Sequence, residues 1–162
     1  MNVEALKEKA KSNFTKGMNC SQSVLLAFVD ELGESKIGIS HETALKLSSS
    51  FGGGMGRLRE VCGGVSGMFM VAGLLKGYDL DSDPGAKAKH YELIQTMAKR
   101  FVEKNGSIVC RTLLGLDKGT KEFNPDNPVP EARTEAYYKK RPCVEFVADA
   151  AEIAAELLFP EG

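Results

Sequence analysis

"CGGVSGMFMVAGLLK", residues 62–76, decides the architecture of this chain. Its apolar side chains fall nearly all round a helical wheel, the mark of a central helix enclosed by neighbours rather than one that faces solvent. Gly63, Gly64 and Gly67 lie in its first turns, and Gly52, Gly53 and Gly54 lie in the connection before it. Each glycine inside a helix costs about 1 kcal/mol relative to alanine. A compensating close approach, by a neighbouring helix, a cluster or a substrate, is therefore expected where Cys62 opens the helix. Gly52 to Gly54 additionally allow positive φ in the connecting turn.

Outward from this segment the pattern stays helical. Val3, Leu6, Ala10 and Phe14 keep helix spacing over a first segment that ends at Gly17. Asn19 is a good N-cap with Gln22 three residues on, so a capping box is predicted to start the second helix, which runs to Gly33. "GESKIGI", residues 33–39, reads as a turn, and Ser40 as the cap of "HETALKLSSSF". Asp83 and Pro84 are the expected cap and first residue of a long helix reaching Lys104. Ser107 is the expected cap of "IVCRTLL". Residues 115–141 read mostly as loop, with a helical turn at "EARTEAYYKK", and Pro142 opens the last helix, "CVEFVADAAEIAAELLF". No run of alternating strands and no repeat interrupts this. The expected fold is all-α: a single-domain bundle of about six helices over residues 1–162, with a glycine-rich connection before the central helix.

The 21 basic and 22 acidic side chains of the 162-residue chain give a net charge of −1. That balance argues against a general nucleic-acid binder, which carries a basic excess. The start, "MNVEALKEKAKSNF", has no apolar signal core, and the run "GMFMVAGLL" is about half the ~20 residues of a membrane span. A cytoplasmic protein without membrane or nucleic-acid partners is expected. In that compartment cysteines serve as reduced thiols, metal ligands or redox groups rather than permanent staples.

The four cysteines, Cys20, Cys62, Cys110 and Cys143, share no short spacing. There is no C-x-x-C, no zinc-finger pattern and no C-x-x-C-H for covalent c-type haem. Each, however, falls in the first turn of a separate expected helix. A helix start carries partial positive charge and unpaired N–H groups, both of which favour a thiolate. Arg57 and Arg59 precede Cys62, Arg111 follows Cys110 and Arg141 precedes Cys143, and nearby cations act in the same direction. Four such starts meeting at one point would serve dithiol/disulfide chemistry or ligate an iron–sulfur cluster or other metal ion. Cys20, Cys62, Cys110 and Cys143 are thus both the candidate catalytic residues and the candidate metal ligands. Gly63, Gly64, Gly67 and Arg57 are the candidate ligand contacts. Cys62 is the expected attacking thiol, resolved by Cys20 or Cys110. The alternative is a non-catalytic helical module that holds a metal ion or small ligand.

Other patterns carry less. "FGGGMG" and "CGGVSG" lack the G-K-[ST] of a phosphate loop and follow no strand. His41 and His90, the two histidines, read as surface or satisfied side chains rather than ligands. Met55, Met68, Met70 and Met97 read as core or pocket filler.

Taken together, "NCSQSVLLAF", "GGGMGRLREVCGGVSG", "CRTLLG" and "RPCVEFVADAAEIAAELL" resemble the C_GCAxxG_C_C family of "putative redox-active" proteins, over about residues 13 to 158. The resemblance implies that the family's four cysteines are Cys20, Cys62, Cys110 and Cys143. It also implies that the second opens a Cys-Gly-Ala-x-x-Gly motif. Cys62, Gly63 and Gly67 match that motif, and Gly64 stands where alanine is expected. Redox chemistry is implied by the resemblance, but no reaction. Redox partner and small-molecule ligand stay open, and a homodimer is a further expectation.

Overall fold

Asn19 marks a boundary that the site depends on. Its side chain accepts from the Gln22 backbone at 3.0 Å, and the Gln22 side chain accepts from the Asn19 backbone at 3.0 Å. This is the capping box expected from sequence, and it makes Cys20 the first residue of its helix. The computed structural model describes residues 1–118, 124 and 126–161. Its helices are α1 (Val3–Thr15), α2 (Cys20–Leu32), α3 (Glu34–Ile37), α4 (His41–Ser48), α5 (Gly52–Met55), α6 (Gly63–Lys76), α7 (Ala86–Asn105), α8 (Cys110–Leu113), α9 (Glu135–Lys140) and α10 (Cys143–Leu158). Short 3-10 turns span Ser49–Phe51 and Leu116–Lys118. The fold is all-α, and α1, α2, α4, α6, α7 and α10 are its long elements.

α10 packs against α1, α2, α6 and α7, and α2 against α1, α4 and α6. Leu6, Phe14, Phe28, Met68, Phe101 and Ile153 fill the space between them and are buried. Each such side chain contributes about 1.5–3 kcal/mol by leaving water. The enclosed helix read from residues 62–76 is α6, but only over its first half. Val65, Met68, Val71 and Ala72 are fully buried, whereas Gly73 is exposed and Leu74 lies at the surface. Of the methionines, Met68 and Met97 are core, and Met55 is exposed.

The glycines at the start of α6 set how closely its neighbours approach. A Cβ on Gly67 would stand 2.8 Å from the Ser21 carbonyl oxygen and 2.9 Å from the Val24 Cβ. One on Gly63 would stand 2.8 Å from the Cys20 Cβ. Both glycines let α2 lie directly on the α6 backbone. Gly64 differs: an added Cβ meets the Phe146 carbonyl oxygen at 3.4 Å and the Ala150 Cβ at 3.7 Å, ordinary contact distances with α10. Alanine, the residue the resemblance places there, fits.

Several boundaries depart from the sequence reading. Ser107 does not open a helix: its hydroxyl accepts from the Val109 backbone, and α8 begins at Cys110 with Val109 as N-cap. Pro142 is the N-cap of α10, not its first residue. α7 starts after Gly85, with Asp83 and Pro84 in the turn before it. Residues 34–37 form a helical turn inside the expected loop. The expected loop over 115–141 lies partly outside the described residues. Its helical turn is α9, capped by the Thr134 side chain.

Gly67→Ala is expected to destabilise the protein by about 1–3 kcal/mol, the usual cost of forcing a methyl into a packed contact. Gly64→Ala is expected to hold stability or raise it by up to about 1 kcal/mol. Urea unfolding of the two variants beside the parent protein checks both signs.

Candidate thiol site

Three devices bring the four cysteines to one pocket of about 270 Å³. The capping box places Cys20 at the start of α2, and Gly63 lets it lie against α6. A single antiparallel bridge, Val61 with Val109, joins the chain before α6 to the chain before α8. The Cys62 N–H donates to the Ile108 carbonyl at 2.8 Å, and the Cys110 N–H donates to the Glu60 carbonyl at 2.6 Å. This pairing holds Cys62 and Cys110 side by side in the backbone. Pro142 ends the α9 segment and puts Cys143 at the first position of α10. Cys62 is itself the N-cap of α6, so all four thiols stand at or just before a helix start.

The connection between α5 and α6 is wound in an unusual way. Gly53, Gly54 and Gly56 have positive φ, and so do Met55, Arg57 and Arg59. Non-glycine residues in this region cost roughly 1–2 kcal/mol each. Gly54 is required for a second reason, since a Cβ there would stand 2.6 Å from the Cys110 Cβ and 2.8 Å from the Arg59 Cα. The winding delivers the Arg59 guanidinium into the interior, where its Nη1 lies 3.7 Å from the Cys110 Sγ.

The thiols differ sharply in charge preference. Cys20 is the one that is not fully buried. Its sulfur takes a hydrogen bond from the Cys143 thiol, and the Arg133 guanidinium and the Gly53 backbone N–H add to it. Together they outweigh desolvation and bring the thiol down to about 7. Cys143 moves far the other way, because its proton is shared with Cys20 and burial opposes a second charge. Burial raises Cys62, and the neighbouring Cys20 charge adds to this. Burial also raises Cys110, against the pull of Arg59. At Cys62, the expected attacking thiol, these causes oppose the thiolate. Its adjacent arginines serve other atoms, and desolvation wins over its helix start.

The remaining expected contacts divide. Gly63 and Arg57 line the pocket. Gly64 and Gly67 face α10 and α2 instead, so they act as packing surfaces. Arg57 donates to the carbonyls of Asn127 and Val129, which ties the segment before α9 to the glycine-rich loop. Arg111 pairs with Glu60 at 3.1 Å, and Arg141, buried, pairs with Glu131. Arg133 was not legible as a site residue. It donates to the carbonyls of Phe14 and Met18 and lies 4.2 Å over the Phe14 ring. The mixture of basic and aromatic residues in "EARTEAYYKK" was its only signal. His41 is an exposed partner of Asp30 at 2.6 Å. His90 stacks edge-on with Tyr78, and its Nδ1 has no partner among the described residues.

A model of the C_GCAxxG_C_C family, described as "putative redox-active protein", matches residues 18–157 and so spans all four cysteines. The chain belongs to this family. No curated protein and no solved structure matches it. Four thiolates are a suitable donor set for zinc or an iron–sulfur cluster. Their geometry is less suitable: among the described residues no group of three or more His, Cys, Asp or Glu side chains is placed to hold a metal ion.

Alkylation of the native protein is expected to label Cys20 first, with a rate that rises through a midpoint near pH 7. Below that midpoint the thiol is protonated and slow. Arg133→Gln removes a cation that favours the thiolate, so the midpoint moves upward, towards the ordinary value of about 8.5. Mass-spectrometric mapping of labelled peptides across a pH series checks both.

Proposed function

We propose that this member of the family is a thiol–disulfide exchange protein in which Cys20 attacks and Cys143 resolves. One observation carries the reading: Cys20 and Cys143 open two long helices on one pocket, where their interaction favours charge on Cys20 and opposes it on Cys143. An attacking thiol works best with a pKa near ambient pH, where thiolate is abundant and still nucleophilic. Cys20 meets that condition and has access to the pocket.

The exchange balances as follows. The Cys20 thiolate attacks one sulfur of a disulfide R–S–S–R, forming Cys20–S–S–R and releasing RS⁻. The Cys143 thiol loses its proton to the released thiolate and becomes nucleophilic. Its sulfur then attacks the Cys20 sulfur, and the second RS⁻ leaves and takes a proton from water. Two protein thiols are oxidised to one disulfide, and the substrate disulfide is reduced to two thiols. Run backwards, the same steps oxidise a dithiol. Arg133 and the Gly53 N–H stabilise negative charge on Cys20 both as nucleophile and as leaving group.

The oxidised protein is expected to contain a Cys20–Cys143 disulfide. Cys20→Ser should abolish exchange with a small-molecule disulfide. Cys143→Ser should stop after the first step and accumulate a mixed disulfide on Cys20. Cys110→Ser should leave exchange largely intact. Peptide mapping under non-reducing conditions reads all four outcomes, and a mixed disulfide on Cys62 instead would overturn the assignment.

A further inference from the structure

Four guanidinium groups, of Arg57, Arg59, Arg133 and Arg141, line the thiol pocket, against the single carboxylate of Glu131 among its described lining residues. Glu131 is taken by Arg141. The other three arginines have no carboxylate partner among the described residues. Arg57 and Arg133 donate to backbone carbonyls, which carry no net charge. Arg59 is the extreme case. It is 8% exposed, and the hydrogen bond its side chain makes among the described residues is to the Cys110 sulfur at 3.7 Å. A buried charge without a counter-charge is strongly disfavoured, and a single thiolate on Cys20 offsets only one of these three cations, so an interior guanidinium facing a cavity implies an anion that enters the cavity.

The shape of the space narrows the ligand. About 270 Å³ lies at the small end for ligand pockets, so a molecule of few heavy atoms fits. The arginines come from two separate segments, the glycine loop before α6 and the chain flanking α9, and Cys20 lines the same space. Leu113, Pro128 and Phe146 supply apolar wall. Arginines on both segments and a thiol on the same space match a ligand that carries two acidic groups and a sulfur. We infer that the pocket takes a small dianionic disulfide, with its acidic groups on the arginines and its sulfur at Cys20. The anion selectivity stands on the arginines alone, and the sulfur assignment rests on the exchange reading above. In that exchange the dianionic disulfide is reduced to two thiols, each with one acidic group, as Cys20 and Cys143 are oxidised to one disulfide.

The test separates the two. Thiodiglycolate, a dianionic thioether that cannot exchange, is titrated calorimetrically into the Cys20→Ser protein beside its uncharged diamide. The dianion is expected to bind roughly 10- to 100-fold more tightly, as for hydrogen bonds to a charged group. Added salt and Arg133→Gln or Arg57→Gln should each erode that advantage. Arg59→Gln is not relied on, since its burial puts folding at risk. Equal binding of dianion and diamide overturns the anion site whatever the thiols do. Reduced parent protein is then mixed with dithiodiglycolate, hydroxyethyl disulfide and cystamine, and rates are expected to fall in that order. Binding of thiodiglycolate without reaction of any disulfide removes the sulfur assignment and the exchange reading together. Cystamine reacting as fast as dithiodiglycolate overturns the inferred substrate class and leaves exchange standing.

Discussion

α2 and α6 cross with almost no side chain between them, and the thiol pocket exists because of that crossing. Gly63 and Gly67 stand one helical turn apart and present bare backbone to Cys20, Ser21 and Val24. The helix start of α2 is thereby pressed against the helix start of α6. Ser21, fully buried at this crossing, donates to the Ser48 carbonyl, and Asn19 donates to the Ser49 carbonyl, so α4 is tied to the same point. The third helix start, that of α10, approaches on the Gly64 side. The glycines give up helix propensity, about 1 kcal/mol each, for contacts no other residue permits.

Helix starts alone do not explain the thiols, because all four have one and only Cys20 is drawn towards the thiolate. Partial charge at a helix start favours ionisation, but its effect is modest beside the desolvation of a fully enclosed sulfur. Cys62 shows the balance. The Val65 and Gly64 backbones favour its thiolate, yet burial prevails. Cys20 differs in having a neutral thiol as donor, a guanidinium nearby and backbone N–H groups that together outweigh its desolvation. Charge on Cys20 then raises its neighbours, so one thiolate excludes a second in the same pocket. The pair is asymmetric by mutual electrostatics rather than by the separate character of each residue.

The local parts of this arrangement were legible in the sequence. Periodicity identified the long helices, and Asn19 with Gln22, Ser40 and Gly33 marked ends that the structure keeps. The gathering of the cysteines at helix starts was legible for the same reason, since caps are encoded within three or four residues. Which thiol is drawn towards its charged form was not. That depends at Cys20 on Cys143 and on Arg133, each more than a hundred residues away, and both are tertiary facts. Sequence neighbours misled at Arg59: it precedes Cys62 by three residues but, through a left-handed backbone turn, reaches Cys110. The Val61–Val109 bridge left no trace because one pair of residues has no periodicity.

The loop before α6 is where the fold departs furthest from local preference. Met55, Arg57 and Arg59 hold positive φ without being glycine, and such strain persists only where surrounding structure over-determines it. Here the determinants are visible. The Arg59 N–H donates to the Gly53 carbonyl, the Glu60 N–H donates to the Gly54 carbonyl, and residues 59 to 62 are bonded to residues 108 to 111. A relaxed loop would turn the Arg59 side chain away from the Cys110 sulfur and would break the pairing that aligns Cys62 with Cys110. Backbone strain, buried positive charge and enclosed thiols are thus one construction: the chain is wound left-handed so that cations, which a hydrophobic interior would otherwise exclude, face the sulfur chemistry.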